Sequence, residues 1–130
     1  MADFTYFHPH AFSLEAGGEL PSFELAYATF GQLNESKDNV VWVWHAFTGS
    51  QHELEWWAQL FGEGKFFDPN KHFIICANML GSCYGSTGPL STNPLTQQAY
   101  FHDFPLLTNK DIVRDFDLLR INIGIERVNV

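Results

Sequence analysis

The sequence predicts an α/β fold: a mostly parallel sheet flanked by helices, with an antiparallel strand pair near the amino terminus. Three observations carry the prediction. Residues 40–44 (Val-Val-Trp-Val-Trp) and 73–77 (Phe-Ile-Ile-Cys-Ala) are apolar at every position, as strands covered on both faces must be. Phe23, Leu25 and Tyr27 share one face at period two, the pattern of a half-solvated strand. Residues 108–124 carry the start, stripe and stop signals of a helix.

Taken in order, the opening section alternates loosely over Ala11-Phe12-Ser13-Leu14, and Gly17-Gly18 supplies a hairpin turn before the Phe23 run. The stretch 31–39 is polar and charged, an exposed loop before the first buried strand. Leu54, Trp57 and Phe61 fall on one helical face and predict a short helix over 53–61. Trp56 and Trp57 read as core and interface material rather than a ligand platform. For the late helix, Thr108 and Asp111 form a capping-box start. Ile112, Phe116, Leu119 and Ile123 make its apolar stripe, and Gly124 is its left-handed stop. Residues 125–130 then begin another strand-like stretch.

Composition excludes several classes. Hydrophobic residues make up 45% of the 130, aromatic residues 16% and charged residues 17%, far from a disordered or coiled-coil balance. The net charge of −8 argues against a nucleic-acid or anionic-membrane partner, since too few cations are present to supply the attraction. Cys76 and Cys83 are too few for a disulfide scaffold and read as free thiols of a reducing compartment. No signal-peptide pattern and no apolar run of ~20 residues occurs. The expectation is a soluble, cytoplasmic protein.

Several motifs point to chemistry only superficially. His52-Glu53 lacks the second histidine of a zinc protease, because Trp56 stands four residues on. No metal site is expected. The glycine-rich run 81–88 lacks the Lys-Ser/Thr ending of a phosphate loop. Its glycines shape a loop at the carboxyl end of a strand, which either lines a site or braces the sheet. Cys83 has no base near it in sequence and reads as a structural, partly buried thiol.

The order His45-Ala46-Phe47-Thr48-Gly49-Ser50, Glu55-Trp56-Trp57, Gly62-Glu63-Gly64-Lys65, Phe67-Asp68, Asn78-Met79-Leu80-Gly81-Ser82-Cys83-Tyr84-Gly85-Ser86-Thr87-Gly88-Pro89, Asn93-Pro94 and Asp103-Phe104-Pro105 resembles the amino-terminal part of the homoserine O-acetyltransferase family. The stretch 78–89 is the most specific part. The resemblance implies an α/β-hydrolase fold and acetyl transfer from acetyl-CoA, as co-substrate, to homoserine through an acyl-serine, a step of methionine biosynthesis. It also implies a homodimer acting on small molecules, with no bound cofactor. That chemistry needs a serine on a G-x-S-x-G elbow, with an acid and a histidine later in the chain. No G-x-S-x-G occurs here. On this resemblance residues 1–130 are one partial α/β-hydrolase domain, a fragment ending within the strand that leads to the elbow, and inactive alone.

One catalytic element is implied within the chain. In this fold the loop after an early strand gives a backbone N–H to the oxyanion hole, and Phe47 occupies that position. Thr48, Gly49 and Asn78 are the implied substrate-binding residues, although the Thr48 hydroxyl suits a bond to nearby backbone equally well. Ser82 departs from the glycine usual in the family. Two alternatives stand beside this reading. One is a serine-directed acyltransferase or a hydrolase of the same fold. The other is a non-catalytic module that binds a partner through its sheet edge.

Overall fold

The computed structural model describes residues 1–128. Its centre is a four-stranded sheet in the order β1-β4-β6-β5. Here β1 is Ala2–His8, β4 Phe23–Phe30, β5 Val40–Val43 and β6 Phe73–Ala77. The β1/β4 and β4/β6 pairs are antiparallel, and β5/β6 is parallel. The sheet is therefore mixed, with its parallel pairing confined to the two runs that are apolar throughout.

Those runs are apolar because each face meets a different core. Val40, Trp42, Phe73, Ile75 and Ala77 point to the larger one, which takes Phe116 and Leu119 from the late helix α2 (Asn109–Ile123). Val41 and Ile74 point to the smaller one with Leu54, Phe61 and Phe67. Period two is preserved along each strand, but both alternating sets are buried.

On its other edge β4 pairs antiparallel with β1, a strand the sequence pattern did not announce. Its residues are mostly exposed, with Phe4 and Phe7 open to solvent on an edge, so no clean alternation marks it. The Gly17-Gly18 turn does form a hairpin, but it joins β2 (Phe12–Ser13) to β3 (Glu19–Leu20) in a small separate ribbon. A further two-residue ribbon pairs β7 (Thr92–Asn93) with β8 (Gln98–Ala99).

The helix expected over 53–61 is shorter. Only α1, Glu53–Trp56, is helical, one turn being all that survives where isolated helices are marginal. Leu54 is buried, Phe61 instead reaches the small core by stacking on Phe67 at 4.8 Å, and Trp56 and Trp57 are exposed rather than packed.

Helix α2 follows the sequence signals closely. Thr108 is its N-cap, the reciprocal capping box with Asp111 is complete, and Gly124 closes it at φ 80°. Beyond it Ile125 is buried, yet residues 125–128 form no strand, and the rest of the expected 125–130 strand lies outside the described residues.

Candidate functional site

Parallel neighbours end on the same edge of a sheet, so the loops that leave β5 and β6 emerge side by side. In α/β sheets this carboxyl edge is where ligands bind. Here the loop after β5 (residues 44–52) and the loop after β6 (78–89) face each other across a cavity of about 820 Å³. Phe47, Thr48 and Gly49 line it from one side, Met79, Ser82 and Cys83 from the other, and the segment 104–107 closes a third wall.

The first loop is a tight turn. The Gly49 N–H donates to the Ala46 carbonyl at 2.8 Å, placing Phe47 and Thr48 at its tip. Both tip side chains are exposed, Phe47 completely. Among the described residues the Phe47 amide has no hydrogen-bond partner. Gly49 is buried, and any side chain there would run into the Glu53 carboxylate and the His45 side chain. Glu53 is itself buried beside that turn, with one carboxylate oxygen unpaired.

His45 joins the two loops. Its ring is buried, with Nδ1 2.8 Å from the Ala46 carbonyl and Nε2 3.1 Å from the Met79 backbone nitrogen. A carbonyl can only accept and an amide N–H can only donate, so the ring proton resides on Nδ1. Sequence reasoning assigned this histidine no role in the site. The one available signal was its position directly after a buried strand.

The second loop both lines the cavity and braces the sheet. Residues 79–84 border the cavity. Past them Ser86 Oγ donates to the Asn78 carbonyl at 2.6 Å and accepts from the Ala26 N–H at 3.0 Å, while Thr87 exchanges two hydrogen bonds with Glu24. The chain thus runs back along β4 beyond the end of β6. Gly88 is obligatory there, since a Cβ would meet the Ser82 carbonyl at 2.5 Å. Ser82 replaces the expected glycine without a positive φ and so without strain.

Of the four residues expected to form the site, the structure brings three together. Asn78 does not join them. Its side chain is fully buried, does not line the cavity, and among the described residues finds no hydrogen-bond partner. The two thiols also separate. Cys83 is exposed in the cavity wall rather than partly buried. Cys76 is enclosed in β6, where desolvation, with the nearby Glu53 charge adding to it, pushes its pKa up to about 12. A thiol held that firmly in its neutral form is no nucleophile.

His52 forms a 2.7 Å pair with Asp3 at the start of β1, which fastens the far end of the first loop. A second hollow, about 650 Å³, lies between Trp42, Trp44, Val113 and Phe116. It is largely apolar, sits by the edge strand β5, and takes none of residues 45–52 or 78–89 into its lining.

No protein-family model matches the chain. Among curated proteins it is 53% identical over 129 residues to a homoserine O-acetyltransferase of Cyclobacterium marinum, covering 99% of this chain and 37% of that protein. It is 52% identical over 125 residues to a homoserine O-acetyltransferase of Chlorobium luteolum, covering 96% and 35%. The chain thus spans about a third of the length of the curated relatives it matches. Among solved structures it superposes on homoserine O-acetyltransferase from Bacillus anthracis with a TM-score of 0.87 at 29% identity, covering 98% of this chain and 38% of that one. It superposes on esterase E22 with a TM-score of 0.86 at 27% identity, covering 98% and 39%. The fold is the amino-terminal portion of an α/β-hydrolase domain.

Proposed function

We propose that this chain supplies the oxyanion side of an acyl-transfer site, in a protein that moves an acetyl group from acetyl-CoA to the hydroxyl of homoserine. The observation that carries the proposal is the unpaired Phe47 amide at the tip of a tight turn bordering the cavity. Acyl transfer passes through a tetrahedral intermediate whose oxygen carries negative charge. A fixed N–H aimed at that oxygen lowers the barrier by about 2.7–4 kcal/mol when other donors and a nucleophile are in place. Because the donor is a backbone group, phenylalanine serves as well as any other residue. The similarity to proteins named homoserine O-acetyltransferase, at about half identity along nearly the whole chain, supports the choice of acyl group and acceptor.

In this reading Thr48 meets the substrate at the turn tip and Gly49 borders it through its backbone, its missing side chain leaving room for the Glu53 carboxylate and the His45 side chain. Asn78 serves from beneath by shaping the second loop, its carbonyl accepting from the Ser86 hydroxyl. The serine nucleophile, its histidine base and the orienting acid come from outside these 130 residues, which contain no G-x-S-x-G. The whole protein works on small molecules as a homodimer in the cytoplasm, with acetyl-CoA as co-substrate and no permanently bound cofactor. Among the described residues no helix is long and apolar enough to cross a membrane.

The similarity to esterase E22 and to an acetylester hydrolase from Corynebacterium glutamicum favours a second reading, in which water is the acceptor. A chimera decides between them: this chain joined to the remaining two-thirds of the Cyclobacterium marinum relative. With acetyl-CoA it is expected to release thiol only when homoserine is present. Equal release without homoserine would favour the hydrolase, and no turnover at all would overturn the acyl-transfer proposal.

A further inference from the structure

The geometry points to His45 as a positioning residue that aims the Phe47 amide, an inference that rests on the oxyanion role proposed for that amide. One peptide group links the two residues. The Ala46 carbonyl and the Phe47 N–H belong to the same planar unit, and in a trans peptide they point in opposite directions. Fixing the carbonyl therefore fixes the direction of the N–H.

The Ala46 carbonyl is fixed twice. It accepts from the Gly49 N–H at 2.8 Å and faces His45 Nδ1 at 2.8 Å, so both of its lone pairs are engaged. The first bond lies within the turn and would let the turn tilt as a unit. The second ties the turn to the imidazole, and the imidazole is itself held by the Met79 N–H on Nε2 at 3.1 Å, across the cavity mouth. The Phe47 N–H is thus oriented relative to the opposite wall and not merely within its own loop. Hydrogen bonds to the carbonyl also polarise the peptide, which makes its N–H a stronger donor. A buried histidine that served only to fill space would leave two ring nitrogens in need of partners. Here both partners belong to the two cavity loops.

The test reads nitrogen and amide NMR signals of the chain at low concentration, with a His45→Ala variant beside it. In the parent protein the ring proton is expected on Nδ1, with coupling across the hydrogen bond from the Met79 amide to Nε2. In His45→Ala the Phe47 amide order parameter is expected to drop from a rigid ~0.85 to below ~0.6, with the Met79 amide shifted and the β4, β5 and β6 amides unchanged. A His45→Gln variant, which keeps one donor and one acceptor, is expected to recover part of that order. A proton on Nε2 in the parent protein would overturn the inference, and this reading needs no variant to fold. An unaltered Phe47 order parameter in a folded His45→Ala protein would also overturn it. In the chimera, His45→Ala is expected to lower kcat by at least about tenfold and by no more than the ~10²–10³ that loss of a whole donor costs, with KM for homoserine and acetyl-CoA within about twofold. A chimera inactive with His45 intact would count against the proposed function, and the nitrogen signals would still decide the role of His45.

Discussion

Asp115 is an acid with no exposed surface, and among the described residues neither carboxylate oxygen makes a well-formed hydrogen bond, only the adjacent Phe116 backbone N–H favouring its charge. Burial, with the Asp111 charge adding to it, pushes its pKa up to about 9 from an ordinary 3.8. The folded state therefore holds a proton that the unfolded chain has lost throughout that window. Stability contributed by this group is complete below pH ~4, declines as pH rises, and is gone above ~9. The slope reaches about 1.4 kcal/mol per pH unit for one proton. Asp111, one turn earlier, behaves oppositely. Bonds from the Thr108 and Glu15 backbone N–H groups and the Arg114 charge hold its carboxyl below the usual range despite burial. Asp115→Asn removes the titration at one site without changing its shape. Denaturant melts of both proteins from pH 4.5 to 9 are expected to show the variant gaining on the parent as pH rises. A difference independent of pH would contradict the burial argument. Asp111 was legible as the capping-box partner of Thr108, whereas Asp115 read as an ordinary polar position of an amphipathic helix.

At the scale of elements, legibility followed locality. Helix α2 was readable because its determinants lie within the helix and its two ends: the Thr108 hydroxyl accepts from the Asp111 N–H, and Gly124 adopts a conformation that costs other residues about 1–2 kcal/mol. Thr108→Ala is expected to destabilise the chain by about 1 kcal/mol, read as a lower urea midpoint at unchanged m-value. An unchanged midpoint would mean that the Glu15 and Asp111 contacts hold the helix start without the hydroxyl. Strands β5 and β6 were readable because burial on both faces left them uniformly apolar. Strand β1 was not, since an exposed edge strand needs no such pattern and its pairing with β4 joins residues far apart in sequence. Helix α1 was overread. The spacing of Leu54, Trp57 and Phe61 fits a helix, but Phe61 finds its partner in Phe67, and the chain unwinds to reach it.

Across the whole molecule, the site was legible as two loops and not as one cavity. Phe47, Thr48 and Gly49 were named from the resemblance of the 45–50 segment to the homoserine O-acetyltransferase family, not from a local pattern. That this loop faces residues 79–84 depends on β5 and β6 being parallel neighbours. Asn78 directly follows β6 beside the cavity, and its buried side chain is not part of the cavity lining. The chemistry also follows from the whole. On the proposed reading the chain offers the Phe47 amide as an oxyanion donor and carries the exposed Cys83 thiol in the cavity wall, but without a G-x-S-x-G elbow that catalytic set is incomplete. The 130-residue chain alone is expected to transfer no acetyl group from acetyl-CoA to homoserine above background, in a thiol-release assay. Turnover that falls on replacing Cys83 would show that the thiol is a nucleophile after all. The most direct test of the account is a crystal structure of the chimera after reaction with a serine-directed phosphonate, whose phosphoryl oxygen occupies the place of the oxyanion. The account predicts that oxygen within about 2.7–3.1 Å of the Phe47 backbone nitrogen; a phosphoryl oxygen held by other donors, with the Phe47 amide turned away, would contradict it.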